Sequence, residues 1–206
     1  ISGYEAARVA GATMFPSMLE MINAFLTPGR EVATSTEAPL ISAIYENSLV
    51  LLYRLLFVLN AEARDLLPTK PQDAASDEFY HSFGLASVRQ ELAGAGGDRR
   101  YGSDYTIALM ERMQSLFDLI NGVQANTVGP DKNDELGIPR YNRALFDPAR
   151  YPLLNRCKVG DKTLAEVIRR LAFRQDKDGQ QIAIDYLNLG ERHLGSIYEG
   201  LLEHRL

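Results

Sequence analysis

The sequence predicts a mostly α protein, a multi-helix, bundle-like domain with one long irregular loop region at about 124–160. Three observations predict it. Apolar residues return at three- and four-residue spacing, as in Ile107, Met110, Met113, Leu116, Phe117 and Ile120. Pro, Gly and capping residues fall mainly between such stretches. No strand–helix alternation, internal repeat or low-complexity tract is present.

Residues 2–26 read as one helix, opened by Ser2 and Glu5 in a capping-box pattern, kinked or restarted at Pro16, and ended at Thr27–Gly29. Residues 37–67 form the longest helix, with Pro39 in its first turn and Pro68 and Pro71 closing it. A loop follows at 69–77, then one helix or two near 78–93, then a flexible Gly/Ala/Asp tip at 94–98. The stretch 103–123 is a helix with Ser103 as cap and Gly122 as stop. The region 124–160 is rich in Gly, Pro, Asn and Asp and holds the short segments "RYNRALFD" and "YPLLNRCKV". "DKTLAEVIRRLAFRQ" is a helix capped by Asp161 or Thr163, "DGQQIAID" contains a short strand or turn, and a last helix runs from near Tyr186 to the end.

Composition bounds the function. With 206 residues and 46% hydrophobic content the chain can bury a sizeable core. A net charge of −5 argues against a dedicated nucleic-acid-binding module, though not against a local basic face. The single cysteine, Cys157, permits no internal disulfide and no cysteine-rich zinc site, which fits a reducing cytoplasm. No signal peptide is recognisable at the start. The longest apolar run, Leu49 to Leu59, contains Arg54 and falls short of the roughly 18 residues of a membrane span, so it reads as a buried helix. The chain starts without methionine and stops inside a helical pattern, as expected for a piece of a longer polypeptide.

Catalytic signatures are missing from this sequence. There is no Gly-x-Gly loop after a strand, no Walker motif and no nucleophile elbow. His81, His193 and His204 are far apart and form no HExxH-type pair. Asp176 and Asp178 in "QDKDGQ" resemble part of a calcium loop but lack the remaining ligands, so they read as a solvated turn. No catalytic, cofactor-binding or metal-ligating residue is therefore assigned. The candidate contacts are cationic. Arg169, Arg170 and Arg174 are spaced to share a helix face, and Arg140 and Arg143 stand in the long loop, where guanidinium groups suit the phosphates of a DNA backbone. A solvated face balanced by nearby acids is the plainer reading of each cluster.

Two segments are more specific. "LYRLLFVLNAEARDLLP" at 52–68 and "IDYLNLGERHLGSIYEGLLE" at 184–203 resemble, in this order, the helical region of large adenine-specific DNA methyltransferases of fused restriction–modification enzymes and phage-defence systems. In that family a "YRLLFLLYAE-RGLLP" helix is followed by "YNGGLFD" and then by "I-Y--L---HLGS-YEGLLE". "RYNRALFD" at 140–147 is similar to the middle element, with Asn142-Arg143-Ala144 where the family has Asn-Gly-Gly. The resemblance covers roughly residues 45–206 and leaves 1–36 undiagnosed. It implies a single helical connector domain over 1–206, a non-catalytic spacer that positions a methyltransferase module following Leu206 and touches DNA weakly. S-adenosylmethionine would be the cofactor of the parent enzyme and not of this chain. Its partners would be the rest of its own polypeptide and DNA, with no membrane. A self-standing helical protein-interaction module is the alternative.

Arg54 poses a local problem, because an unpaired charge in so apolar a helix would cost several kcal/mol, roughly. Glu62, two turns away, is far for a direct bond. A buried ion pair with Glu199 of "YEGLLE" is the expected solution, with the helices at 45–67 and 186–203 packed together.

Overall fold

A computed structural model of the chain describes residues 37–94, 97–122, 131–141, 143–177 and 180–187. The N-terminal helix expected at 2–26 and nearly all of the expected last helix, with Glu199, lie outside these residues. Within them the fold is mostly α, as the sequence predicts.

Helix α1 spans Glu37–Ala63 and forms the centre of the molecule. Leu51, Leu52, Leu55, Leu56, Val58 and Leu59 are all buried, so the helix is covered on several faces, as its unbroken apolar run requires. It stops at Ala63, before the position that Pro68 predicts. Asp65 turns left-handed at φ 56°, and the Leu66 and Asp65 amides donate to the Ala61 and Glu62 carbonyls at 2.9 and 3.2 Å. That Schellman pattern ends the helix ahead of the proline. One stretch of α1, Ser42–Ala63, is long and apolar enough to cross a membrane, but 67% of its apolar window is buried inside this domain.

Two helices occupy the next region, α2 at Ala74–Ser82 and α3 at Leu85–Ala93. The first starts earlier than expected because Asp73 and Ser76 form a reciprocal capping box, with the Ser76 amide donating to Asp73 Oδ1 at 2.8 Å. A short turn, α4, covers Gly97–Arg100. Helix α5 spans Ala108–Asn121 and ends at Gly122, whose φ of 69° suits the predicted stop. Its start differs: Ser103 accepts from the Tyr105 amide and caps no helix.

The described part of the long irregular region contains three short helices, α6 at Lys132–Leu136, α7 at Arg143–Phe146 and α8 at Pro152–Arg156. Leu136, Ile138, Phe146, Leu154 and Val159 are buried, so this region is part of the core rather than a loop over it. Helix α9, Asp161–Ala172, buries Leu164, Val167, Ile168 and Leu171 and packs on α1, α3 and α5. It ends three residues before Gln175 because Phe173 turns extended. Strands β1, Phe173–Gln175, and β2, Gln181–Ala183, then pair antiparallel with Arg174 opposite Ile182. Asp176 closes the hairpin by accepting from the Gln180 amide at 2.8 Å, the turn role that its sequence suggests. Tyr186 is buried but not helical, and its hydroxyl donates to the Leu171 carbonyl at 2.7 Å.

Candidate functional site

The segments 52–68 and 140–147 meet around Arg54. Its side chain leaves the middle of α1 and is only 1% exposed. Burial is thus as expected, while the partner expected for it, Glu199, lies outside the described residues. Arg54 Nε donates to the Leu145 carbonyl at 2.9 Å, in the last turn of "RYNRALFD". The guanidinium carbon stands 5.4 Å from the Phe117 ring centroid, 5.7 Å from Phe146 and 5.4 Å from Tyr151. Among the described residues, three π faces and a carbonyl surround the guanidinium. Among the described residues no acid forms a salt bridge with Arg54, while Glu199 lies outside them. Burial draws the guanidinium from 12.5 down to about 10, opposed by Tyr151, Asp118 and Asp147, so it remains charged near neutrality.

More contacts join the same segments. Phe57 meets Tyr141 and Phe146 edge-on at 5.7 and 5.3 Å between ring centroids. Tyr141 donates its hydroxyl to the Leu66 carbonyl at 2.9 Å. Asn60 Nδ2 donates to the Tyr186 carbonyl at 3.1 Å, bringing the beginning of the third segment onto α1. Residues 52–68, 140–147 and 184–187 therefore share one packing unit.

The arginines proposed for DNA are differently placed. Arg140 forms an ion pair with Asp131. Arg143 opens α7, and its side chain lies outside the described residues. Arg169 and Arg170 both bind Glu166, at 2.8 and 2.9 Å. Arg174 lies on β1 and not on the helix, so the three-arginine helix face does not form. Glu166 thus supplies the nearby acid of the plainer reading.

Sequence reasoning missed two partly buried arginine posts. Glu62, fully buried at its side chain, accepts from Arg89 Nη2 at 3.0 Å and from the Ala86 amide at 2.8 Å, fastening α3 to α1. Burial raises its carboxyl from 4.5 to about 7, against the lowering effect of Arg89 and the Ala86 and Leu85 amides. Arg112 donates from α5 to the Tyr80 and Gly84 carbonyls at 3.1 and 3.2 Å, at the α2–α3 corner. The available signal was an arginine recurring on otherwise apolar helix faces. The partners are 27 and 28–32 positions away, beyond any local pattern.

An open cleft of about 500 Å³ runs between the end of α1 and Gly137, lined in part by Asp65, Thr69, Lys70 and Gln72. Its Asp73 and Ser76 are engaged in the capping box of α2. Among the described residues no group of three or more His, Cys, Asp or Glu side chains is placed to hold a metal ion. Comparison of the chain with protein-family models, with curated proteins and with solved structures finds no match.

Proposed function

We propose that this chain is a non-catalytic helical spacer of an adenine-specific DNA methyltransferase or restriction–modification polypeptide. The observation that carries the reading is the order of its three specific segments, "LYRLLFVLNAEARDLLP", "RYNRALFD" and "IDYLNLGERHLGSIYEGLLE". Contacts of the first segment with the second, Arg54–Leu145 and Phe57–Phe146, and with Tyr186 at the start of the third, through Asn60, support it. The spacer holds the methyltransferase module in register and leaves the reaction, with its S-adenosylmethionine, to that module. The reading implies a cytoplasmic protein of a phage-defence or restriction system.

The deciding observation is the coding sequence downstream of Leu206. A glycine-rich methyl-donor motif followed by Asn-Pro-Pro-Tyr is expected, and a stop codon at that point or an unrelated domain would overturn the reading. The 206-residue chain itself is expected to bind no S-adenosylmethionine in a calorimetric titration. Micromolar binding would assign it a catalytic part instead.

A further inference from the structure

The β-hairpin has one strand with an unused side. The Ile184 amide donates to the Ala172 carbonyl at 2.8 Å and the Asp176 amide to the Gln180 carbonyl at 2.9 Å, so both are hydrogen-bonded pairs. Such pairs alternate along an antiparallel ladder. Arg174–Ile182 is therefore the next one, and the amides and carbonyls of Phe173, Gln175, Gln181 and Ala183 point outward. The two edges differ. On β1 the Phe173 amide is already used, donating to the Arg169 carbonyl at the end of α9. On β2 the outward groups of Gln181 and Ala183 have no hydrogen-bond partner among the described residues. All three residues of β2 are exposed, Ile182 at 38%. A solvent-facing edge is ordinarily guarded by a charge, a proline, a bulge or a covering element. Strand β2 reads Gln-Ile-Ala, pairs one-to-one with β1 and lies uncovered. Only its length of three residues restrains it, which limits the strength of further pairing and not its geometry.

We infer that β2 is a self-association edge, pairing antiparallel with β2 of a second copy of this chain about a two-fold axis through Ile182. In that register Gln181 of each copy lies opposite Ala183 of the other, and every outward amide of the two strands meets an outward carbonyl. Ile182 then faces Ile182 of the second copy as a non-hydrogen-bonded pair, the closer kind, with Cα atoms about 4.5 Å apart. Two exposed isoleucines leave water together. A strand of any sequence would satisfy the backbone. Ile182 needs more, an apolar β-branched residue opposite it between uncharged neighbours, and β2 is itself such a strand. Charge does not oppose the pairing. Arg174 is the only charged residue of the two strands, and it sits on the outer one. In the resulting four-stranded sheet its two copies are three strand spacings apart, about 14 Å, beyond the screening length of ~8 Å in physiological salt. The inference rests on the hairpin alone and not on the spacer reading.

Sedimentation velocity of the 206-residue chain from about 10 μM to about 1 mM tests it, since so short an edge gives a weak, concentration-dependent dimer. The mean sedimentation coefficient should rise with concentration towards that of a dimer. Ala183→Pro removes an outward N–H while leaving the hairpin's own bonds in place, and Ile182→Lys sets two like charges face to face. Each should weaken association at least about tenfold with an unchanged circular dichroism spectrum, and the exposed Ile182→Lys serves alone if the proline variant does not fold. Cross-linking reads the register separately. In a Cys157→Ser background, Ile182→Cys should form an intermolecular disulfide in a glutathione redox buffer, because Cα atoms about 4.5 Å apart are within disulfide reach. The equally accessible control Leu187→Cys should cross-link at least about tenfold more slowly. A chain that stays monomeric up to about 1 mM would overturn the inference. So would a dimer indifferent to Ile182→Lys, or equal cross-linking at the two cysteine positions.

Discussion

Among the described residues, the buried charge of Arg54 is met by a carbonyl and three aromatic rings. The carbonyl of Leu145 takes one donor, and the rings of Phe117, Phe146 and Tyr151 face the delocalised cation. Shape matters as much as charge here. Arg54→Ala should therefore cost about 2–5 kcal/mol, as for truncation of a large buried side chain, while Arg54→Met should cost less than about 2. Urea unfolding of the two variants checks the order, and equal losses would mean that charge alone matters. A double-mutant cycle of Arg54→Met with Glu199→Leu separates this arrangement from the Glu199 pair, because a pair would make the two effects strongly non-additive. Glu62 has the opposite sensitivity. Its carboxyl titrates near 7 in the folded protein against 4.5 ordinarily, so between those values the folded state holds a proton that the unfolded chain has lost. Stability should fall as pH rises from about 4.5 to about 7, by at most about 1.4 kcal/mol per unit, and then level off. Glu62→Gln should remove that slope, which denaturation midpoints at successive pH values will show.

At the scale of elements, helices α5 and α9 exchange their caps. Asp161, in the first turn of α9, accepts from the Leu109 amide of α5, and Asp104, just before α5, accepts from the Thr163 amide of α9, both at 2.8 Å. Backbone bonds reinforce the crossing, from the Asp161 amide to the Thr106 carbonyl at 2.9 Å and from the Lys162 amide to the Ser103 carbonyl at 3.2 Å. Asp104→Ala and Asp161→Ala should each cost about 0.5–2 kcal/mol, with the double variant deviating from the sum. Gly160 allows the approach: a Cβ there would stand 2.6 Å from Asp104 Cα. Gly160→Ala should cost about 1–3 kcal/mol in thermal or urea unfolding, as overpacking against backbone does.

This exchange also explains what the sequence could and could not say about the elements. The apolar spacing of α5 and α9 and the Gly122 stop were legible because they depend on residues within a few positions. The helix starts were not, because Asp161 is the right kind of residue for a cap but serves a helix 52 positions away. Helices α6, α7 and α8 were hidden for a related reason. Each is only four or five residues long, and their stability comes from burial of Leu136, Phe146 and Leu154 rather than from local propensity. At the site, burial of Arg54 was legible from its apolar neighbours, whereas its aromatic surroundings depend on contacts across the fold.

For the whole molecule, one contiguous core joins Ile44 on α1 to Tyr186 beyond β2. The elements draped on α1 come from all parts of the described chain, since α3, α7, α8 and α9 each pack on it. Such a core should unfold in a single cooperative transition. Tyrosine fluorescence, reporting on the 10 tyrosines, and far-ultraviolet circular dichroism should give coincident urea curves. Separated midpoints would mean that the short-helix region unfolds independently of the bundle.

The exchanged aspartates have a kinetic consequence as well. When the start of α5 frays, Leu109 withdraws the donor that Asp161 accepts from, and the same crossing carries the Asp104 bond on which Thr163 depends. The two helix starts thus behave as a latch with two tongues, and neither opens without loosening the other. In folding, both helices reach their full length only after residues some 50–60 positions apart have met, so these first turns belong late in the assembly rather than in its nucleus. Amide hydrogen exchange would record the latch directly: Leu109 and Thr163 should exchange at matched rates in the native protein, and Asp104→Ala should accelerate both.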